Sequence, residues 1–243
     1  MSLKLPFILT FLAALALPLA ATTFQDEPVK TVEEPETEVA FPVTLTVLPK
    51  TEKREAVSHQ LSGVGVREKT IFKVDVYALG FYMDEEAALP ALKKAAEDLS
   101  ASKLEKSAAF RKALLGDDFG KTMRLVMVRD VDAEDMSEAF DDALWPRMKA
   151  HSDKEQDRIA AKAALAEFRG FFEKEAKDKQ VLDFTWMPGG LMYAVVDGKR
   201  FPVVKSESLC RALFDVFVGD DPISGGAKKD IFKNLHSKLH PKK

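Results

Sequence analysis

A single cysteine, Cys210, stands in a chain of 243 residues. It excludes an internal disulfide and every cysteine-cluster metal site. Glycine and proline are also sparse, 12 of each, which rules out collagenous and low-complexity architectures. Neither sign of charge dominates, with 36 Lys and Arg against 39 Asp and Glu and a net charge of -3. The chain therefore lacks the basic footprint of a dedicated nucleic-acid binder. His236 and His240 have the spacing of two metal ligands on one helical face, but they sit among lysines with no third ligand nearby, so no metal is expected. Gly63-x-Gly65 lacks a third glycine and a following helix, so no dinucleotide cofactor is expected either. What remains is 46% apolar and 31% charged, the make-up of a globular protein. One domain of about 200 residues fits, large enough to bury a core without staples.

The one long apolar run is at the start. Lys4 precedes an apolar stretch from Leu5 to Leu19, and Ala20-Ala21 follow as small residues. This is the three-part pattern of a secretory signal peptide over residues 1–21, and it predicts export to a periplasm or the exterior. Pro6 and Pro18 make the stretch a poor permanent span, so no stable membrane span is expected after cleavage. Residues 22–40 are rich in Glu, Thr and Pro and read as a flexible acidic leader. The folded domain is expected over 41–226, with a basic C-terminal tail over 227–243.

Within the domain, β-branched alternation predicts strands near 41–48, 59–66, 71–83 and 123–128. Residues 84–115 carry helical spacing in two segments. Further helices are expected from Asp132 to Met148 and from Glu155 to Lys177, the latter burying Ile159, Ala163, Ala166 and Phe171. Strands return at 181–187, 191–196 and 199–204, with Asp197-Gly198 marking a type I′ hairpin. Ser206 then caps a helix over 207–218. Strands first and last with helices grouped between them predict an α+β fold with a largely antiparallel sheet.

Three blocks in order carry a resemblance. The first is Gly63-Val64-Gly65-Val66-Arg67 followed by the strand from Val74 to Tyr82. The second runs from Phe110 to Gly116 and on to the strand at Met123. The third runs from Trp186-Met187-Pro188-Gly189-Gly190 to Ser208-Leu209-Cys210-Arg211 and then Val218-Gly219-Asp220-Asp221-Pro222. Together they resemble the chalcone isomerase superfamily. The resemblance implies an open-faced β-sandwich, a large antiparallel sheet with helices packed on one face and a ligand cleft between the two layers.

It also implies roles. Arg67 matches the arginine that orients the substrate in the enzymes, and would be the catalytic cation if this chain is one. Tyr77 falls where the enzymes have a threonine, Arg124 near a lysine, and Cys210 near a hydroxyl residue that contacts the ligand ring. The enzymes' tyrosine and asparagine have no counterparts between Val131 and Phe140. Ring closure of a chalcone needs a cation for the phenolate and donors for the developing enolate. A guanidinium beside a phenol in an apolar cleft suits a carboxylate with an acyl tail instead. Non-catalytic, fatty-acid-binding members of the family are said to use such a pair. Arg67, Tyr77, Arg124 and Cys210 are thus candidate ligand residues, and the expected ligand is a fatty acid or similar amphipathic carboxylate. The alternatives are an intramolecular lyase acting on a chalcone or related enone, and a structural or interaction module without a ligand.

Overall fold

The computed structural model describes residues 29–48, 51–52, 55–69, 74–152 and 154–241. The segment read as a signal peptide lies outside them. Two small strands, β1 (Thr31–Glu33) and β2 (Ala40–Pro42), form a hairpin ahead of β3 (Thr44–Leu48). β4 (Val57–Lys69) and β5 (Val74–Met83) follow, then α1 (Glu85–Ala96), α2 (Ala101–Lys106) and α3 (Ala108–Leu114). β6 (Lys121–Met127) leads to α4 (Ala133–Ala150) and α5 (Glu155–Arg169). β7 (Val181–Met187), β8 (Leu191–Val196), β9 (Lys199–Arg200) and β10 (Val204–Lys205) precede α6 (Glu207–Val218) and α7 (Gly225–Leu239).

The main sheet is antiparallel in the order β10-β8-β7-β6-β5-β4-β3, with β9 beside β8. Its two faces bury different things because side chains alternate along each strand. Leu79, Phe81 and Met83 of β5 and Met123, Leu125 and Met127 of β6 pack under the helices in one large core. Ala78 and Tyr82 point the other way, into a smaller core closed by Phe41, Leu45 and Leu48. The expected α+β architecture with helices on one face is what the chain forms, with the β1–β2 hairpin added behind it.

Local signals worked where a specific backbone geometry was at stake. Asp197 and Gly198 both have positive φ, 46° and 76°, as a type I′ turn requires. The Ser206 hydroxyl accepts from the Leu209 N–H at 3.2 Å and starts α6 where expected.

Four expectations are corrected. The second half of the acidic leader is ordered: Glu34 is 2% exposed, and its carboxylate accepts from the N–H groups of Glu36 and Thr37 and from the Thr37 hydroxyl. The basic tail is α7, which buries Ala227, Ile231, Phe232 and Leu235 against the sheet. Residues 84–115 hold three helices, because Ser107 ends α2 and caps α3 through the Phe110 N–H. α5 stops at Arg169 and buries Ala161, Ala164, Leu165 and Phe168, leaving Ile159 61% exposed.

Candidate functional site

Arg67 and Tyr77 face each other across the β4–β5 ladder. The Arg67 Cζ lies 5.7 Å from the centroid of the Tyr77 ring, a cation–π distance. Tyr77 is 4% exposed, and Arg67 is half-buried. Burial pushes the Tyr77 phenol up from its ordinary pKa, and the charge and hydrogen bond of Arg67 oppose that shift. The phenol stays protonated at neutral pH and keeps its O–H as a donor.

Both residues open onto a cavity between the sheet and the helices. Its other walls are Leu125 of β6, then Met136, Ala139, Phe140, Ala143 and Leu144 of α4, with Leu213, Val216 and Phe217 of α6 and Ile223 closing the far side. Every wall other than Arg67 and Tyr77 is apolar. The free volume is about 20 Å³, room for roughly one water. The layers are closed on each other, with Phe140 resting against Phe168 and Phe172 at centroid distances of 5.1 and 4.7 Å.

The guanidinium of Arg67 is set apart by what it lacks. The other half-buried arginines among the described residues are neutralised: Arg111 by Asp220, Arg124 by Asp183, Arg147 by Asp215 and Arg211 by Glu207. Among the described residues no carboxylate pairs with Arg67. A partly desolvated cation without a counter-ion is an unmet charge at the mouth of an apolar space.

The other two candidates are elsewhere. Arg124 alternates with Met123 and Leu125, so it projects from the opposite face of the sheet. There Nε and Nη2 grip the two oxygens of Asp183 at 2.7 and 2.8 Å, a bidentate pair along one edge of the guanidinium. The charge retained in the sequence is therefore spent inside the protein and does not reach the cavity. Cys210 is fully buried on α6 and does not line the cavity. Its surroundings are Asp117 and Lys121, at the end of the sheet opposite Tyr77, and burial pushes its thiol up.

Two buried polar clusters went unread in the sequence. Lys121 is fully buried, with Nζ donating to the carbonyls of Gly116 and Phe119 and resting 3.8 Å from the Trp186 ring centroid. Desolvation lowers its pKa to about 7. Asp117 beside it accepts from the Trp186 indole and from the N–H groups of Gly189 and Gly190, tying down the β7–β8 turn. On the opposite face His59 is fully buried, with Nδ1 bonded to Thr122 Oγ1 at 2.9 Å and that hydroxyl bonded to Thr185 at 2.8 Å. Neither cluster borders the cavity. The apolar residues that do, such as Met136 and Phe140, read in the sequence as ordinary helix core. His236 on α7 and His240 at its C-cap have rings stacked 4.5 Å apart, away from the site.

A family model described as chalcone isomerase-like matches residues 43–232. Fatty-acid-binding protein 1 of Arabidopsis thaliana is 27% identical over 226 residues, covering 90% of this chain and 75% of that protein. A chalcone–flavanone isomerase of Oryza sativa subsp. japonica is 28% identical over 188 residues, covering 72% of this chain and 78% of its own. The crystal structure of an Arabidopsis thaliana fatty-acid binding protein superposes with a TM-score of 0.71 at 25% identity, over 86% of this chain and 99% of that one.

Proposed function

The chain belongs to the chalcone isomerase-like family, and from that premise we propose that its Arg67 cavity binds a fatty acid or a similar amphipathic carboxylate. The observation that carries the reading is the half-buried guanidinium, without a carboxylate partner among the described residues, at the head of an otherwise apolar cavity. A carboxylate supplies the missing counter-ion, taking two parallel N–H bonds from Arg67 and a third from the Tyr77 hydroxyl. The acyl tail replaces the side-chain contacts of Met136 and Phe140, which move to admit it. Ligand pockets of this kind enclose roughly 300 Å³ or more, so binding opens a space that the closed form keeps filled. The names of two relatives, both fatty-acid-binding proteins of Arabidopsis thaliana, support the same ligand class.

The lining weighs against cyclisation of a chalcone. Arg67 and Tyr77 are its two polar side chains, and α4 offers only apolar residues where the enzymes' asparagine is expected. Among the described lining residues no donor beyond Arg67 and Tyr77 faces a developing enolate.

Native mass spectrometry of the purified protein with a mixture of saturated fatty acids tests the reading. One-to-one complexes are expected for the wild type, weakened about 10–100-fold in Arg67→Ala, the value of losing a charge-assisted pair. Equal binding by the variant would remove it, and turnover of a hydroxychalcone above the spontaneous rate would favour the lyase. We further propose that residues 1–21 direct export. N-terminal sequencing of the protein from its native host is expected to begin at Thr22, and an intact Met1 in the cell interior would contradict this.

A further inference from the structure

A groove of about 850 Å³ lies beside the Arg67 cavity, the two sharing Ile223 as a wall. Its floor is a strand edge. β3 pairs with β4 only as far as Gln60, and the Leu61 N–H takes one more bond, to the Val43 carbonyl. Beyond that point, among the described residues, no strand continues along this side of β4.

The hydrogen-bonding groups of that edge follow from the ladder. The Val76 carbonyl accepts from Val128, on the β6 side, so alternate residues of β5, including Ala78 and Gly80, direct their groups toward β6. Val66 and Val64 lie opposite them and therefore direct their N–H and C=O away from β5, outward into the groove. Two side chains of α7 already stand in for a missing strand. Asp230 accepts the Val64 N–H at 3.0 Å, and Lys238 donates to the Leu61 carbonyl at 2.7 Å. Among the described residues the Val64 carbonyl and both groups of Val66 meet no hydrogen-bond partner, which leaves them to an incoming strand.

The walls suit an extended chain. The start of α7 rises on one side, and the end of β1 with the turn after it, carrying Glu33 and Glu36, rises on the other. Between them the edge from Val64 to Glu68 runs roughly 14 Å, the length of a short strand. The rim is acidic. Carboxylate oxygens of Glu36, Glu68 and Asp75 lie within 4.8 Å of one another. Lys238 is the one cation lining the groove, and it is already engaged with Glu85.

We propose that this edge docks an extended, basic segment of a partner protein, which adds to β4 as a strand and sets lysine or arginine side chains against Glu33 and Glu36. Main-chain pairing supplies the affinity and the carboxylates select the charge, the division of labour of strand addition at open sheet edges. The proposal is independent of what the Arg67 cavity binds.

The test uses the full chain and a blocked peptide of alternating valine and lysine. Hydrogen exchange is expected to slow at Val66, and affinity to fall steeply with salt. An analogue N-methylated on alternate residues keeps the charge but removes the pairing, and is expected to bind at least about tenfold more weakly. The exposed double variant Glu33→Lys, Glu36→Lys is expected to weaken the parent peptide severalfold. Equal binding of the N-methylated peptide, equal binding of a valine–glutamate peptide, or no slowing at Val66 would overturn it. So would protection of Val66 by self-association without peptide, which assigns the edge to a second copy.

Discussion

At the residue scale, the same side-chain type has opposite meanings according to its partner. Arg67 and Arg124 both sit on strands of the main sheet, yet one lacks a carboxylate among the described residues and the other is locked to Asp183. Asp183→Ala strands a partly buried charge and is expected to cost about 1–3 kcal/mol in denaturant unfolding. It leaves ligand binding unchanged, because Arg124 is on the other face. His59 gives a pH signature. Burial lowers its pKa to about 4, while the unfolded chain takes up the proton near 6.5. Between those values the unfolded state binds more protons, so stability falls as the pH drops from 6.5 toward 4, by on the order of 3 kcal/mol. Urea titrations across that range are expected to show a shallower dependence in His59→Gln. An unchanged slope would show that His59 does not titrate this way. The sequence displayed Arg67 and Tyr77 through the motif around them. It did not display which arginine is neutralised, because Asp183 lies 59 positions from Arg124 and meets it only in the folded sheet.

At the element scale, α4 and α7 carry the consequences. α4 presents Met136, Phe140 and Leu144 at helical spacing, a stripe that reads as core and also forms the cavity wall. Phe140 stands between that cavity and the ring cluster of Phe168, Phe172 and Phe184. Phe140→Ala is expected to shift the acyl-chain preference to longer tails in competition binding, with the head-group requirement unchanged; an identical chain-length profile would contradict its place as the stop. α7 was legible only as a charged tail because its lysines mask the spacing of Ala227, Ile231 and Leu235. Its seat is made by glycine: a Cβ on Gly65 would fall 2.5 Å from that of Ala227. Gly65→Ala is therefore expected to push α7 off β4, lowering stability by about 1–3 kcal/mol and speeding hydrogen exchange along α7. A variant as stable as the wild type would show that the contact is loose. Most strand positions and the Asp197-Gly198 hairpin were readable because a period of two and a positive φ are local constraints. The buried face of α5 was not, since small alanines at every third or fourth position fit more than one stripe.

At the scale of the whole molecule, a closed two-layer protein keeps the Arg67 guanidinium without a carboxylate partner among its described residues, at the seam between sheet and helices. Isothermal titration calorimetry with dodecanoate and dodecanol, on wild type and Arg67→Ala, reads that feature directly. The tails are the same and only the head-group charge differs. Saturable binding of dodecanoate to the wild type is expected, with dodecanol weaker by about tenfold or more and the acid's advantage lost in Arg67→Ala. Equal affinity for the alcohol and the acid, or an acid preference that survives removal of the guanidinium, would contradict the account.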